Sequence, residues 1–264
     1  MSEDRLITSL TNDTVKAVRA LHMRKEREAT GLFLAEGLKF IGEALDQGRA
    51  PRTLLVGMEA RPHPLLERAR AETLKAGGEI VVVSHPILEK ISRRENPQTV
   101  LGVFEQAYTP LSALKPETAP CWVALEQVRD PGNLGTIIRT ADAAGCGGVI
   151  LIGDCVDPFS VEAVRATMGS VFAVAIVRST PQDFLAWRET WRGSVVGTRL
   201  DAIVGYRDAA YARPSLILMG NEQAGLTDAL AAACDVNVKI PMRGRADSLN
   251  LAIATGVMVY AVTD

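Results

Sequence analysis

The chain has 264 residues, 47% of them hydrophobic, and a formal net charge of −2 at neutral pH. That length holds one large domain or two of ordinary size, and the mean hydropathy of +0.11 comes without an apolar run long enough to cross a bilayer. The near-neutral balance excludes a global attraction to nucleic acid, so any such contact must use a local basic patch.

The opening MSEDRLITSL is polar and acidic, unlike a secretory signal. Cys121, Cys146, Cys155 and Cys234 form no C-x-x-C pair and read as buried thiols of a reducing, cytoplasmic compartment. His22, His63 and His85 are scattered, so no metal site is expected.

Taken in order, the periodicity predicts a helix from Asn12 to about Glu28, with Val15, Val18, Leu21 and Met23 as its apolar positions. Its end carries Arg24, Lys25 and Arg27, candidates for phosphate contact, with Glu26 and Glu28 mixed among them. Gly31 breaks it. A strand at Leu32–Ala35, a helix through Leu45, a strand at Thr53–Val56 and a helix at Pro64–Ala76 follow. Gly77-Gly78 ends that helix, and Glu79–Val83, Pro86–Ile91 and Val100–Glu105 continue as strand, helix and strand. Residues 1–106 thus form a small α/β domain. Residues 107–119, proline-containing and poor in strong hydrophobes, read as a linker.

Alternation restarts over residues 120–264. Strands are expected at Trp122–Leu125, Val149–Ile152, Val171–Val177, Ser194–Thr198, Ser215–Met219 and Val236–Ile240. Helices are expected at Asn133–Ala144, Ser160–Met168, Pro181–Trp191, Leu226–Ala233 and Leu249–Val262. Several strands are near-continuous apolar runs, as a parallel sheet covered on both faces requires. Ligands of such sheets bind at the carboxyl ends of the strands, so those ends carry the functional question.

Three of them have unusual loops. In the first, Asp130-Pro131-Gly132 is a turn and Asn133 a candidate cap for the next helix. Leu134, Ile137, Ile138 and Ala141 make the apolar stripe of that helix, and Arg139 falls off it. Arg139 is either a solvated surface arginine or a guanidinium poised for a phosphate or a developing oxyanion. The second loop, Leu218-Met-Gly-Asn-Glu-Gln-Ala-Gly-Leu226, has Gly220 and Gly225 for close backbone approach and Glu222 as its sole carboxylate. In the third, Pro241 stops a strand, a polar loop follows, and Ser248 stands where the N-cap of a helix beginning at Leu249 should be, with Asn250 beside it. Arg165-Ala-Thr-Met-Gly169 is a weaker candidate whose glycine suits a helix end. There is no G-x-G-x-x-G after the first strand of this half, no phosphate-binding G-x-x-x-x-G-K-[ST] and no G-x-S-x-G.

These three segments resemble, in order and spacing, the motifs of the SpoU/TrmH family of RNA ribose 2′-O-methyltransferases. The matching residues are Asn133-x-Gly135 with Arg139, then Gly220-Asn221-Glu222 with Gly225, then Ile240-Pro241-Met242 through Ser248-Leu249-Asn250. Leu251-Ala252 stands where Val-Ser is common in the family. The first half is similar to the family's ribosomal-protein-like, RNA-binding substrate domain, through the basic helix end, Phe33-x-x-Glu36-Gly37 and Asn96-Pro97-Gln98.

The resemblance implies S-adenosyl-L-methionine as methyl donor, an α/β parallel-sheet domain with a deep trefoil knot, and a homodimer with the cofactor pocket near its interface. It places Arg139, Asn133, Glu222, Ser248 and Asn250 in catalysis, with Arg139 as base, although a guanidinium is almost never neutral. It places Leu218, Met219, Gly220, Asn221, Gly225, Ile240, Pro241, Met242, Ser248, Leu249 and Leu251 around the cofactor, largely through backbone. Ribosomal RNA is the expected substrate because a separate substrate domain suits a large structured target. The alternatives are transfer RNA, methylation of a base, and a non-catalytic RNA-binding protein of the same fold.

Overall fold

The computed structural model describes residues 5–263; of the polar opening, residues 1–4 lie outside. The first part of the chain runs β1 (Arg5–Ile7), α1 (Asp13–Ala20), α2 (Arg24–Thr30), β2 (Leu32–Glu36), α3 (Leu38–Asp46), β3 (Thr53–Gly57), α4 (Pro64–Lys75), β4 (Glu79–Val83), α5 (His85–Ser92) and β5 (Val100–Glu105). Then come β6 (Cys121–Glu126), α6 (Pro131–Ala143), β7 (Gly148–Ile152), α7 (Val161–Thr167), β8 (Ala175–Ser179), α8 (Pro181–Arg188), β9 (Val195–Thr198), β10 (Val204–Gly205), β11 (Ser215–Met219), α9 (Asp228–Ala232), β12 (Val236–Lys239) and α10 (Leu251–Thr263). Single-turn 3₁₀ helices lie at Leu111–Ala113 and Pro116–Thr118, within the expected linker, and at Ser170–Phe172.

The chain folds into two compact units, residues up to Gln106 with Phe159–Ala173, and Ala107–Pro158 with Val174 onward. The stretch Phe159–Ala173, inside the span assigned by sequence to the second domain, therefore packs with the first.

In the first unit a five-stranded mixed sheet has the order β1-β4-β3-β5-β2, with β5 antiparallel to both neighbours. Phe33 on β2 meets Phe104, Phe159 and Phe172 at ring-centroid distances of 5.9, 4.8 and 5.8 Å. This aromatic cluster explains why the expected strand Val171–Val177 is a turn followed by a strand starting at Ala175: Phe172 is drawn into one core and Ile176 into the other. Glu36, at the end of β2, is buried and accepts a fork of two hydrogen bonds from Arg165 at 2.7 and 3.2 Å.

The expected single helix from Asn12 to Glu28 is two helices. Asn12 caps α1 by accepting the N–H of Thr14 at 2.9 Å, and the chain breaks at Leu21–Met23. The break leaves the carbonyl of Leu21 without a helical partner, and the guanidinium of Arg27 supplies one at 2.7 Å. Arg27 is accordingly 3% exposed and does not offer its charge to a phosphate, contrary to the expectation from sequence. Arg24 pairs with Glu28 at 2.8 Å on the surface, and Lys25 is exposed.

The second unit is built on a seven-stranded, wholly parallel sheet in the order β10-β12-β9-β11-β6-β7-β8. Every residue of β6, β7 and β11 is buried, which accounts for their unbroken apolar sequences. One face packs against Leu134, Ile137, Ile138 and Ala141 of α6 and Met258, Val259 and Val262 of α10; the other packs against Phe184 of α8 and Leu230 of α9. After β6 the chain builds outward through β7 and β8, then returns to build the other side with β9 and β11. The reversal falls between β6 and β11, and a crevice opens at the carboxyl edge of a sheet at such a point. Neither β1 nor β10 was anticipated. Both are edge strands of three and two residues, too short for a periodic signal.

Candidate active site

Register lines up the strand ends. Leu125 of β6 pairs with Met219 of β11, Met219 with Thr198 of β9, and Thr198 with Val238 of β12. The loops that follow these strands therefore leave the sheet side by side.

The loop after β6 is closed by Asp130, whose Oδ1 accepts the N–H of Asn133 at 2.6 Å. Asp130, not Asn133, is the cap of α6, because the helix begins at Pro131. This frees the Asn133 side chain. Its Nδ2 donates to Glu222 Oε1 at 3.3 Å, and its Oδ1 accepts from Asn250 Nδ2 at 2.8 Å. Glu222 also accepts the backbone N–H groups of Arg129 at 3.3 Å and Asp130 at 3.4 Å. Asn250 Oδ1 in turn accepts from the N–H groups of Ala252 at 2.9 Å and Ile253 at 3.3 Å, so Asn250 caps α10. Ser248, expected in that role, instead bonds its neighbour Asp247 at 3.0 Å.

The direction of this relay is set at both ends. An ionised carboxylate only accepts, and helix N–H groups only donate. Both amides must therefore present nitrogen toward Glu222 and oxygen toward α10. A carboxylate, two amides and a helix start thus tie three distant segments together.

The loop after β11 is shaped by its own backbone. Asn221 and Gly225 exchange N–H···O bonds at 3.1 and 2.9 Å. The Asn221 side chain accepts from Gln223 N at 2.9 Å and Ala224 N at 3.1 Å and donates to the carbonyl of Gln127 at 2.9 Å. Gly225 takes a positive φ of 71°, and a Cβ on Gly220 would lie 2.0 Å from the carbonyl carbon of Gly225. Gly220 is therefore required by the returning chain itself, not by a ligand. Glu126, buried at the end of β6, accepts the N–H of Thr227 at 2.8 Å and anchors the far side of the same loop.

Between these loops lies a cavity of about 480 Å³, within the range of about 300–1,000 Å³ usual for small-molecule sites. Of the residues selected by sequence, Asn133, Met219, Gly220, Asn221, Glu222, Gly225, Ile240, Met242, Ser248, Leu249, Asn250 and Leu251 line it. Three do not. Leu218 is wholly buried in the sheet, and Pro241 faces a neighbouring hollow with Tyr206 and Arg207. Arg139 is exposed on α6, outside the cavity lining, with no ion pair among the described residues.

Five lining groups were missed. Thr198 ends β9 and Arg199 and Leu200 follow it, Gln223 lies in the loop after β11, and Ala254 lies one turn into α10. The end of β9 carries no motif, and only its register beside Met219 reveals it. The hydroxyl of Thr198 is buried and meets no hydrogen-bond partner among the described residues, as a group awaiting a ligand would. Arg199 is held cationic by its hydrogen bonds to Asp201 at 2.9 Å, which raise its pKa above the usual value. No cluster of three or more His, Cys, Asp or Glu residues able to hold a metal occurs among the described residues.

Comparison with known proteins fits this geometry. Residues 120–260 match the model of the SpoU rRNA Methylase family. The chain belongs to that family. Residues 12–102 match the model of the MRM3-like substrate binding domain.

Among SpoU relatives, the chain is 32% identical over 254 residues to the 23S rRNA (guanosine(2553)-2′-O)-methyltransferase RlmP of Bacillus subtilis, covering 96% of this chain and 97% of that one. It is 32% identical to the 23S rRNA (uridine(2479)-2′-O)-methyltransferase of Streptomyces viridochromogenes, over 90% and 84% of the two chains. The crystal structure of an AdoMet-bound rRNA methyltransferase from Sinorhizobium meliloti superimposes with a TM-score of 0.91 at 49% identity, covering 98% of this chain and 97% of that one.

Proposed function

We propose that this protein transfers a methyl group from S-adenosyl-L-methionine to a ribose 2′-hydroxyl of ribosomal RNA. The observation that carries the reading is the Glu222–Asn133–Asn250 relay, which closes three family motifs around one cavity. Relatives that match nearly the whole chain are named as 23S rRNA 2′-O-methyltransferases.

The cavity suits the donor. Met219, Ile240, Leu249 and Leu251 offer apolar surface for an adenine, the loop backbones offer polar groups, and the Thr198 hydroxyl has an unmet bond. Bound there, the donor supplies an electrophilic methyl on a sulfonium. The chain's task is to hold a ribose hydroxyl in line with it, and positioning of this kind supplies about 7–11 kcal/mol of a barrier.

Asn133, Glu222 and Asn250 fix the walls against which the ribose is placed, and Ser248 adds a hydroxyl at the rim. Arg139 is a permanent cation, so its role is to stabilise the developing alkoxide or grip a flanking phosphate, not to accept a proton. Replacing Arg139 by Ala should abolish transfer while cofactor affinity stays within about twofold. Cofactor loss with normal turnover at saturation would reject that role.

In this reading residues 1–106 are the RNA-binding part, 107–119 the connection and 120–264 the methyltransferase domain of a cytoplasmic enzyme. No helix among the described residues is long and apolar enough to cross a membrane. The reading includes a homodimer, supported by the exposed Ile253 and Tyr260 on α10; sedimentation as a monomer at micromolar concentration would remove it. It also includes the deep trefoil knot, supported by a chain that leaves β11, crosses beyond β9 to β12 and returns α10 against α6. Pulling from both termini should then stop short of full extension.

The deciding experiment incubates the protein with labelled donor and separated ribosomal and transfer RNA, then maps the modified ribose. Label in transfer RNA alone would replace the substrate, and label on a base would replace the reaction.

A further inference from the structure

A second large hollow lies in the first unit, about 820 Å³ between α1 and α5. Its walls carry Lys16, Arg19, Lys90, Arg93 and Arg94 against two carboxylates, Glu89 and Glu95. This is a concentrated positive charge on a chain whose net charge is −2. Lys16 is bonded to Asp13 at 3.1 Å, and Glu89 is 3.5 Å from His85. Arg19, Lys90, Arg93 and Arg94 have no carboxylate partner among the described residues. Lys16, Lys90, Arg93 and Arg94 are exposed, and Arg19 is partly so.

The end of α5 shows why these arginines are not there for the fold. Two of its carbonyls are satisfied from elsewhere: His22 Nε2 meets Ile91 O at 2.6 Å, and Arg165 donates to Ser92 O at 2.9 Å. Arg93 and Arg94 are thus not needed as caps for those carbonyls. Arg93 occupies the left-handed region at φ 56°, the position that glycine takes after a helix without strain. The ends of α2, α3, α4 and α6 have glycine there, namely Gly31, Gly48, Gly77 and Gly145, and only α7, with Met168, shares the non-glycine choice. A strained backbone that keeps a long cationic side chain at the rim of a basic hollow points to a use for the cation.

We propose that the α1–α5 cleft binds the phosphodiester backbone of the RNA substrate, with Arg93 and Arg94 as principal phosphate contacts. The inference rests on the RNA reading given above and adds the surface, which is not the Arg24–Lys25 helix face expected from sequence. An extended polyanion fits because the cations lie along two helices in an open groove, where phosphates repeating along a strand can meet them successively. An arginine grips phosphate through parallel N–H···O bonds, which carry affinity and register but not base identity.

The test uses the full-length protein and a fluorescent ribosomal RNA fragment, with affinity measured across a salt series. Wild type should lose affinity steeply with salt. The quadruple variant Arg19→Ala, Lys90→Ala, Arg93→Gly, Arg94→Ala should bind at least tenfold more weakly at low salt. Its log–log salt slope should be shallower by about 0.7–0.9 for each phosphate that is no longer neutralised. The single variant Arg93→Gly separates binding from folding: its Tm should hold or rise by about 2 °C as strain is relieved, while its RNA affinity falls. Donor affinity by calorimetry should be unchanged in both. Variants with a wild-type slope and affinity would overturn the assignment of this cleft while leaving the methyltransferase reading intact. A wild-type protein that takes up the donor but binds no RNA would overturn both.

Discussion

Asn133 shows how one side chain carries the site. Its amide joins a carboxylate on one side to a second amide on the other, and neither direction can be reversed. Asn133→Asp would set a second carboxylate against Glu222 across 3.3 Å in place of the Nδ2 donor, while an oxygen would remain to accept from Asn250. We expect donor affinity to fall at least tenfold and stability by about 1–3 kcal/mol, the usual cost of an unsatisfied or repelled polar group. Calorimetry and a denaturant melt would read these, and wild-type values in both would remove the relay from the site.

Gly220→Ala is expected to be worse. Its Cβ would fall 2.0 Å from backbone that cannot move aside, costing about 3 kcal/mol, so donor binding and Tm should fall together. His22 adds a pH dependence. Burial lowers its pKa below the usual value, against the opposing pull of the Ile91 carbonyl. A group whose pKa is depressed by folding favours the fold above its unfolded pKa of about 6.5, and that contribution is lost as pH falls through the lower folded value. Melting of the first unit should therefore weaken below about pH 6.5, and His22→Gln should flatten that dependence.

At the level of elements, α10 depends on where it starts. Asn250, not Ser248, accepts its first N–H groups. Asn250→Ala should cost about 1 kcal/mol from the cap alone and more through the missing bond to Asn133, while Ser248→Ala should stay within about 0.5 kcal/mol. Equal effects in a urea melt would contradict this assignment. In the first unit, α7 is held by Arg165, whose guanidinium serves Glu36 and the end of α5 together. Arg165→Met leaves the Glu36 carboxylate buried without its cation and should cost about 3–5 kcal/mol; pairing it with Glu36→Leu should recover part of the loss.

At the level of the molecule, the chain passes three times between its units. Residues Phe159–Ala173 bring Phe159, Val161 and Phe172 to the core of the first unit, where Phe33 and Phe104 meet them. A fragment ending at Gln106 lacks those side chains and should melt without a cooperative transition, because the cavity they leave costs several kcal/mol at each site. A synthetic peptide spanning residues 159–173 should restore part of it. A fragment that melts as sharply as the whole chain would show that this insertion is dispensable.

The alternation of strands and helices, the parallel character of the second sheet and the three motif loops were legible in the chain, because each rests on local signals. Unbroken apolar runs marked β6, β7 and β11, and glycine and asparagine at strand ends marked the cavity. What sequence could not specify was decided by interactions between residues far apart. Thr198 entered the site through strand register, and Arg27 left the surface because a helix broke six residues earlier. Asn250 took the cap expected of Ser248, and Asp130 the one expected of Asn133, because the geometry of each turn selects which polar side chain reaches the free N–H groups. Arg93 looked like any surface arginine until its backbone angle and the satisfied carbonyls around it were known. Local chemistry chose the elements; long-range packing and hydrogen bonding chose which side chains share a space, since those terms act between atoms that only the folded chain brings within reach.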